Sequence, residues 1–197
     1  MNSRKKDSKT IIISFIMLLV SLLVNAAGGQ PINITDIGKE VLGVKTPRNK
    51  GVCLPNSVYA AKVVKAIDGD TLSIGGSCND RVRMLYVDTP ETVKPNTPVQ
   101  CYGPEASEHT KKLFNVGDEL YMQTDKEAMD RYGRLLAIIY KNKDDTSDFK
   151  KSINYKLVQD GYARAKFYSP NIKYKPDLLI LEESSRSALK GLWSACN

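Results

Sequence analysis

Three short runs of this 197-residue chain concentrate side chains capable of chemistry: Asp68-Gly69-Asp70-Thr71, Asp88-Thr89-Pro90-Glu91 and Asp130-Arg131-Tyr132-Gly133-Arg134. Arg83 lies in an apolar stretch between the first two. If residues 70–75 and 82–87 form a hairpin across 76–81, Asp70 stands opposite Val87 and beside Asp88. Two carboxylates at the same end of adjacent strands repel each other unless something positive sits between them. A hard cation with oxygen ligands answers that need, and Ca²⁺ accepts sites made of carboxylates and carbonyls. An arginine inside an apolar strand also needs an anionic partner, because an unpaired buried charge is expensive. Two arginines beside several carboxylates suggest a phosphate held against a metal, since guanidinium forks bind phosphate oxygens bidentately. Each run also has a plainer reading. Asp-Gly is a turn dipeptide in its own right, and Asp-Thr-Pro-Glu can simply end a strand. Arg83 can form a structural ion pair, with Glu91 as one candidate, and Arg134 can be a solvated charge at the start of a strand.

The elements around these runs show where they must sit. Residues 58–67 and the run TLSIGG flank the DGD turn and predict a hairpin. A third strand is expected over 81–87, and further strands over 119–124 and 133–140. Gly103-Pro104-Glu105 opens a helix, because Pro is tolerated in the first turn and Glu suits its positive end. Ala106, Thr110, Leu113 and Phe114 share one face of that helix, and Gly117 is expected to close it. Two more helices are expected: around 149–160, with Ile153, Leu157 and Val158 inward, and around 177–190, with Leu178, Leu181 and Ala188 inward. The order β-β-β-α-β-β-α-α, with five short strands, predicts an α+β fold: a five-stranded OB-type β-barrel with three α-helices. Tyr86 and Tyr140 read as barrel packing, Trp193 as a plug for the last helix and His109 as a surface residue.

Composition narrows the class of protein. Hydrophobic content of 42% and charged content of 26% are globular values, excluding a disordered polymer or a multi-span membrane protein. Arg4, Lys5, Lys6 and Lys9 precede an apolar run from Ile11 to Val24 and then small residues, which reads as a secretory signal over 1–26. The run is shorter than the ~20 residues a spanning helix needs, so an uncleaved membrane anchor is the secondary reading. Residues 27–57, punctuated by Gly and Pro, read as a polar leader, and residues 58–197 as the functional domain. Losing the signal removes four of the 29 basic residues and one of the 22 acidic ones, leaving a net charge of +4. That permits a polyanionic partner without requiring one. The four cysteines suit an exported, disulfide-bonded protein. We expect Cys53 to pair with Cys78, which flank one hairpin, and Cys101 with Cys196. With one histidine and no CxxC spacing, zinc has poor ligands.

The runs AIDGDTLSI, RVRMLYVDTPET, YGPEAS, DRYGR, LVQDGYA and GLW, in this order over residues 58–194, resemble the staphylococcal nuclease (thermonuclease) family. The resemblance implies a secreted or periplasmic Ca²⁺-dependent phosphodiesterase that cleaves DNA and RNA at the 5′ P–O bond, with single-stranded or unpaired regions preferred. It implies Asp70 and Asp88 as metal carboxylates and the Thr89 carbonyl as a further ligand. Glu91 would act on, or position, the attacking water. Arg83 and Arg134 would stabilise the phosphorane. Tyr132 would touch the nucleotide's phosphate, and Asp68 would support the metal. Tyr168 falls at one base-stacking position, with Lys166 or Phe167 at the other. The loop TVKPNTPVQC carries Thr97 and Cys101 where the family commonly has lysines, and residues 142–151 read as an inserted polar surface loop. A monomer is expected, with no stable membrane partner once the signal is cleaved. The competing class is a non-catalytic OB module that binds nucleic acid or protein. A module of that kind would be expected to lose Glu91 or an arginine, and this chain keeps both.

Overall fold

The computed structural model describes residues 52–93 and 96–196. The expected signal or anchor over 1–26 and most of the leader lie outside the described residues. No described helix is long and apolar enough to cross a membrane.

Five strands close into a barrel in the order β1-β2-β3-β6-β5. They are β1 (Val58–Ala66), β2 (Thr71–Gly75), β3 (Arg81–Met84), β5 (Glu119–Gln123) and β6 (Leu135–Tyr140). Between them β4 (Val87–Asp88) pairs with β7 (Arg164–Ala165) in a separate two-stranded ladder. β1 shows why the barrel can close. Ala61, Val63 and Ala66 are buried, and a bulge between Val63 and Lys65 breaks the two-residue alternation and leaves Val64 exposed. A bulge of this kind bends a strand and increases its twist, as closure requires. β3 and β6 run parallel, with Arg83 beside Leu136, and β1 and β5 complete the ring as antiparallel neighbours. Leu72, Ile74, Val82, Met84, Leu120, Met122 and Leu135 fill the interior.

The third strand is shorter than the sequence suggests. Thr71 pairs with Arg83, and the Met84 N–H donates to the Asp70 carbonyl at 2.9 Å, so Asp70 stands level with Met84 and not with Val87. The strand ends because Tyr86 takes a left-handed conformation, φ 68°, which a bulky residue adopts only at a cost of about 1–3 kcal/mol. Tertiary contacts hold it there. The Tyr86 hydroxyl donates to buried Asp125, and its ring packs edge-on against Phe149 and Tyr174. Burial and the Asp125 carboxylate together push the Tyr86 hydroxyl pKa well above its ordinary value. The turn at Tyr86 redirects Val87 and Asp88 out of the barrel wall and onto β7.

The helices are α1 (Gly103–Leu113), α2 (Ile153–Gln159), α3 (Lys175–Ser187) and α4 (Leu192–Ala195). α1 ends at Leu113, capped by Phe114, and Gly117 belongs to the following turn at φ +91°. α2 starts where Ser152 accepts from the Tyr155 N–H at 3.1 Å. Its buried Asn154 accepts from the Ile139 N–H at 2.8 Å and donates to the Leu85 carbonyl at 2.7 Å, fixing the point where β3 ends. Residues 143–151 form two short 3-10 turns rather than a plain surface loop. Phe149 is buried there and stacks on Tyr174 with centroids 3.9 Å apart. α3 buries Leu178 and Ser185 while Ala188 is exposed, so its inward face differs from the expected one at its C-terminal end. α4 is an additional short helix, and its buried plug is Leu192. Trp193 is half-buried, with the guanidiniums of Arg164 and Arg186 over its ring at 4.5 and 4.4 Å. His109 is also half-buried and stacks on Tyr162 at 3.8 Å. Desolvation lowers its pKa.

Both expected disulfides are formed, Cys53–Cys78 and Cys101–Cys196. The first ties residues 52–57 to the barrel, where the Ser57 N–H also donates to Thr124 Oγ1 at 2.9 Å.

Candidate active site

The start of β2, the end of β3 and the segment leaving β4 meet at one end of the β2–β3 hairpin. The DGD turn can come close to the Asp88–Pro90 segment because residue 69 is glycine. A Cβ there would lie 2.6 Å from Thr89 Oγ1. Thr110 of α1 steadies the same turn by donating from its hydroxyl to the Gly69 carbonyl at 2.7 Å.

Asp70 is almost fully buried and every contact it makes is satisfied. Its Oδ2 accepts from the Thr89 N–H at 2.9 Å and the Thr89 hydroxyl at 3.0 Å, and pairs with Arg83 Nη1 at 2.7 Å. Its Oδ1 accepts from the Thr71 hydroxyl at 3.1 Å. Arg83 bridges the two metal candidates. Nη2 donates to Asp88 Oδ1 at 2.9 Å while Nη1 also donates to the Val87 carbonyl at 3.0 Å. The partners of the strand arginine are therefore Asp70 and Asp88, not Glu91. The two aspartates do converge, through the Tyr86 turn and the shared guanidinium rather than by cross-strand pairing.

Glu91 is set at the mouth of a loop. Its Oε1 accepts from the Thr92 and Val93 N–H groups at 2.9 and 2.8 Å. Its own N–H donates to Gln100 Oε1 at 2.9 Å, and the Gln100 N–H returns to the Glu91 carbonyl at 2.9 Å. On the other wall, Arg134 Nε pairs with Asp130 Oδ2 at 2.7 Å, and Asp130 Oδ1 accepts from the Tyr132 and Arg134 N–H groups. Gly133, at φ +75°, gives the turn its left-handed step.

Asp68, Asp70, Arg83, Asp88, Thr89, Glu91 and Arg134 line one cavity of about 70 Å³. Tyr132 does not line it. Its exposed ring lies beneath Arg134, 5.6 Å from the guanidinium carbon, and its hydroxyl accepts from Arg131. Tyr168 is likewise exposed and outside the cavity, on a turn bridged to Asn171. Lys166 lies over the Tyr168 ring and Phe167 packs against Tyr86. Gln100, Thr110 and Asp130 support the site in ways that residue type alone does not signal. Only their proximity to Glu91, Gly69 and Arg134 in the fold reveals it.

The donor chemistry suits a hard cation. Four carboxylates and the Thr89 peptide surround a cavity with room for about two water-sized groups. Burial, and then the neighbouring Asp70 charge, raise the Asp68 pKa to about 6. That crowding of like charge is what a cation would relieve. Among the described residues no three acidic, histidine or cysteine side chains form a cluster placed to hold a metal ion, and Arg83 lies between Asp70 and Asp88.

Fold and cavity together define an OB-type barrel with an arginine–carboxylate site at the end of its central hairpin. The family model described as "Staphylococcal nuclease homologue" matches residues 81–195, and the chain belongs to that family. It is 42% identical over 134 residues to a thermonuclease of Staphylococcus hyicus, covering 68% of this chain and 75% of that one. It is 44% identical over 129 residues to a thermonuclease of Staphylococcus intermedius, covering 65% and 70%. Over nearly its whole length, 203 aligned residues covering 94% of this chain and 92% of the relative, it is 36% identical to endonuclease YncB of Bacillus subtilis (strain 168).

Proposed function

We propose that the chain is a nuclease, a hydrolase that cleaves phosphodiester bonds in DNA and RNA with Ca²⁺ as its metal. The observation that carries this reading is the convergence of Arg83, Arg134, Glu91 and the carboxylates of Asp70 and Asp88 on one small cavity. Asp70, Asp88 and the Thr89 carbonyl would hold the ion, and Asp68 would support it. Bound there, the ion would offset charge on the phosphoryl oxygens and lower the pKa of a coordinated water.

The chain's own residues supply the rest. Glu91, fixed by two backbone N–H groups, orients the attacking water and takes its proton. Arg83 has a donor to spare on Nη2 and another on Nε after binding Asp70 and Asp88, and Arg134 keeps both terminal nitrogens beyond its Nε bond to Asp130. Lining one cavity from two walls, they would stabilise the negative charge that grows on a phosphate there in the transition state. Tyr132 and Tyr168, exposed beside Arg134 and Lys166, offer rings to an unpaired nucleotide, consistent with single strands as the preferred substrate. Export, with removal of residues 1–26, accords with two disulfides in the domain. The enzyme is taken to act as a monomer.

End-group analysis of digested single-stranded DNA tests the chemistry. Attack that breaks the 5′ P–O bond leaves 3′-phosphate and 5′-hydroxyl ends, and Glu91→Gln should lower kcat by at least ~10²-fold with the melting temperature unchanged. Products with 5′-phosphate ends, or a Glu91→Gln chain of normal rate, would overturn the mechanism.

A further inference from the structure

A cavity of about 70 Å³ can take a phosphate but not the nucleosides on either side of it, so a polynucleotide must lay those nucleosides on adjoining surface. On one side the exposed rings beside Arg134 are available. On the other, a second pocket of about 400 Å³ shares Asp88, Thr89 and Pro90 with the catalytic cavity and includes neither Arg134 nor Tyr132. Its volume falls in the ~300–1,000 Å³ range of sites that enclose a small organic group.

The walls have the chemistry of a nucleotide site. Pro90 and Leu192 contribute apolar lining, and both halves of the Cys101–Cys196 disulfide line the pocket as well. Gln100 presents a carboxamide whose oxygen is already taken by the Glu91 N–H, which leaves its NH₂ to donate. Arg164 supplies positive charge. It pairs through its backbone with Asp88 on the β4–β7 ladder, its guanidinium rests on Trp193, and it makes no ion pair among the described residues. Among the described residues the one carboxylate lining the pocket is Asp88, which shares the Arg83 guanidinium with Asp70. An arginine braced on an aromatic ring, without a carboxylate of its own, is suited to a phosphodiester.

We infer that this pocket is a substrate subsite holding the nucleotide next to the scissile phosphate on the side away from Tyr132, with Arg164 against the neighbouring phosphodiester. The inference rests on the nuclease reading and assigns to the site a length preference that the catalytic cavity alone would not give.

Kinetics of the full chain in Ca²⁺ on octathymidylate and on the thymidylate dinucleotide, over a series of salt concentrations, test it. Arg164→Gln should raise KM for the octanucleotide several-fold and narrow its advantage over the dinucleotide. It should also reduce the slope of log KM against log salt by about 0.7, the value of one single-strand phosphate contact. Arg164→Lys, which keeps the charge, should recover much of the effect. Equal losses on both substrates, or an unchanged salt slope, would overturn the subsite and leave the nuclease reading standing. Cleavage of neither substrate by the unsubstituted chain would instead overturn the nuclease reading and the subsite with it. A second readout does not depend on how well the Arg164 variants fold. Trp193 is the sole tryptophan, so octathymidylate added to the Glu91→Gln chain should change its fluorescence with saturation. No change at concentrations that saturate binding by another measure would also overturn the proposal.

Discussion

Arg83 and Arg134 reach the same cavity from two differently built walls. Arg83 lies mid-barrel, its side chain 15% exposed, tied to two carboxylates and the Val87 carbonyl. Arg134 sits where a tight turn enters β6, 28% exposed, packed over the Tyr132 ring and ion-paired among the described residues only with Asp130. The first wall uses its arginine twice, as counter-ion for a buried Asp70 and as a donor to the cavity. The second wall uses a turn to hold an arginine whose other donors are uncommitted. Two groups with the same proposed catalytic role therefore carry different structural burdens.

Substitution should separate those burdens. Arg83→Ala is expected to lower kcat by ~10²–10³-fold. It should also lower unfolding free energy by ~3–5 kcal/mol, because Asp70 is left buried without its counter-ion. Arg134→Ala should cost a similar factor in kcat but less than about 1 kcal/mol of stability, since its ion pair is partly solvated. Urea unfolding alongside single-turnover rates would show the split, and equal destabilisation by the two changes would break the comparison. The disulfides extend the contrast. Cys101–Cys196 spans 95 residues and lines the second pocket beside Gln100, whereas Cys53–Cys78 spans 25 and lines neither pocket. Paired alanine substitutions should cost about 4.7 and about 3.5 kcal/mol respectively in the chain-entropy account. Only the first should also lower kcat, by loosening the loop that carries Glu91. The smallest expected effect is electrostatic. With its pKa raised to about 6, Asp68 binds a proton more readily in the folded chain than in the unfolded one. Its contribution therefore favours the fold as pH falls from about 6 toward 4 and is lost as pH rises through 6. In metal-free buffer at pH 8, Asp68→Asn should raise the melting temperature, and added Ca²⁺ should shrink the difference.

The barrel was legible because its strands announce themselves. Alternation in β1 and β2, the DGD turn and the Pro104 helix start are local signals, and local signals are what residue order carries. The end of β3 was not. Nothing in the run RVRMLYV marks Tyr86 as left-handed, since the conformation is imposed by Asp125, Phe149 and Tyr174 from distant parts of the chain. The β4–β7 ladder is not legible either, because it joins residues 87–88 to residues 164–165 far along the chain. Ala188 and Trp193 differ from what periodicity predicts because a helix end and a four-residue helix give it too little length to act on. At the site, residue type pointed to Asp70, Asp88, Glu91, Arg83 and Arg134, all of which the fold brings together. Asp130, Gln100 and Thr110 are polar residues in turns, a loop and a helix, and their roles appear only when the backbone groups and side chains they hold are known.

The most direct test of the central claim is digestion of single-stranded DNA by the full chain, with Ca²⁺ and with EGTA in parallel. The account predicts cleavage with Ca²⁺ and none in EGTA. Robust cleavage in EGTA would contradict the metal assignment, and a folded protein inert under both conditions would contradict the nuclease reading and favour a barrel that only binds.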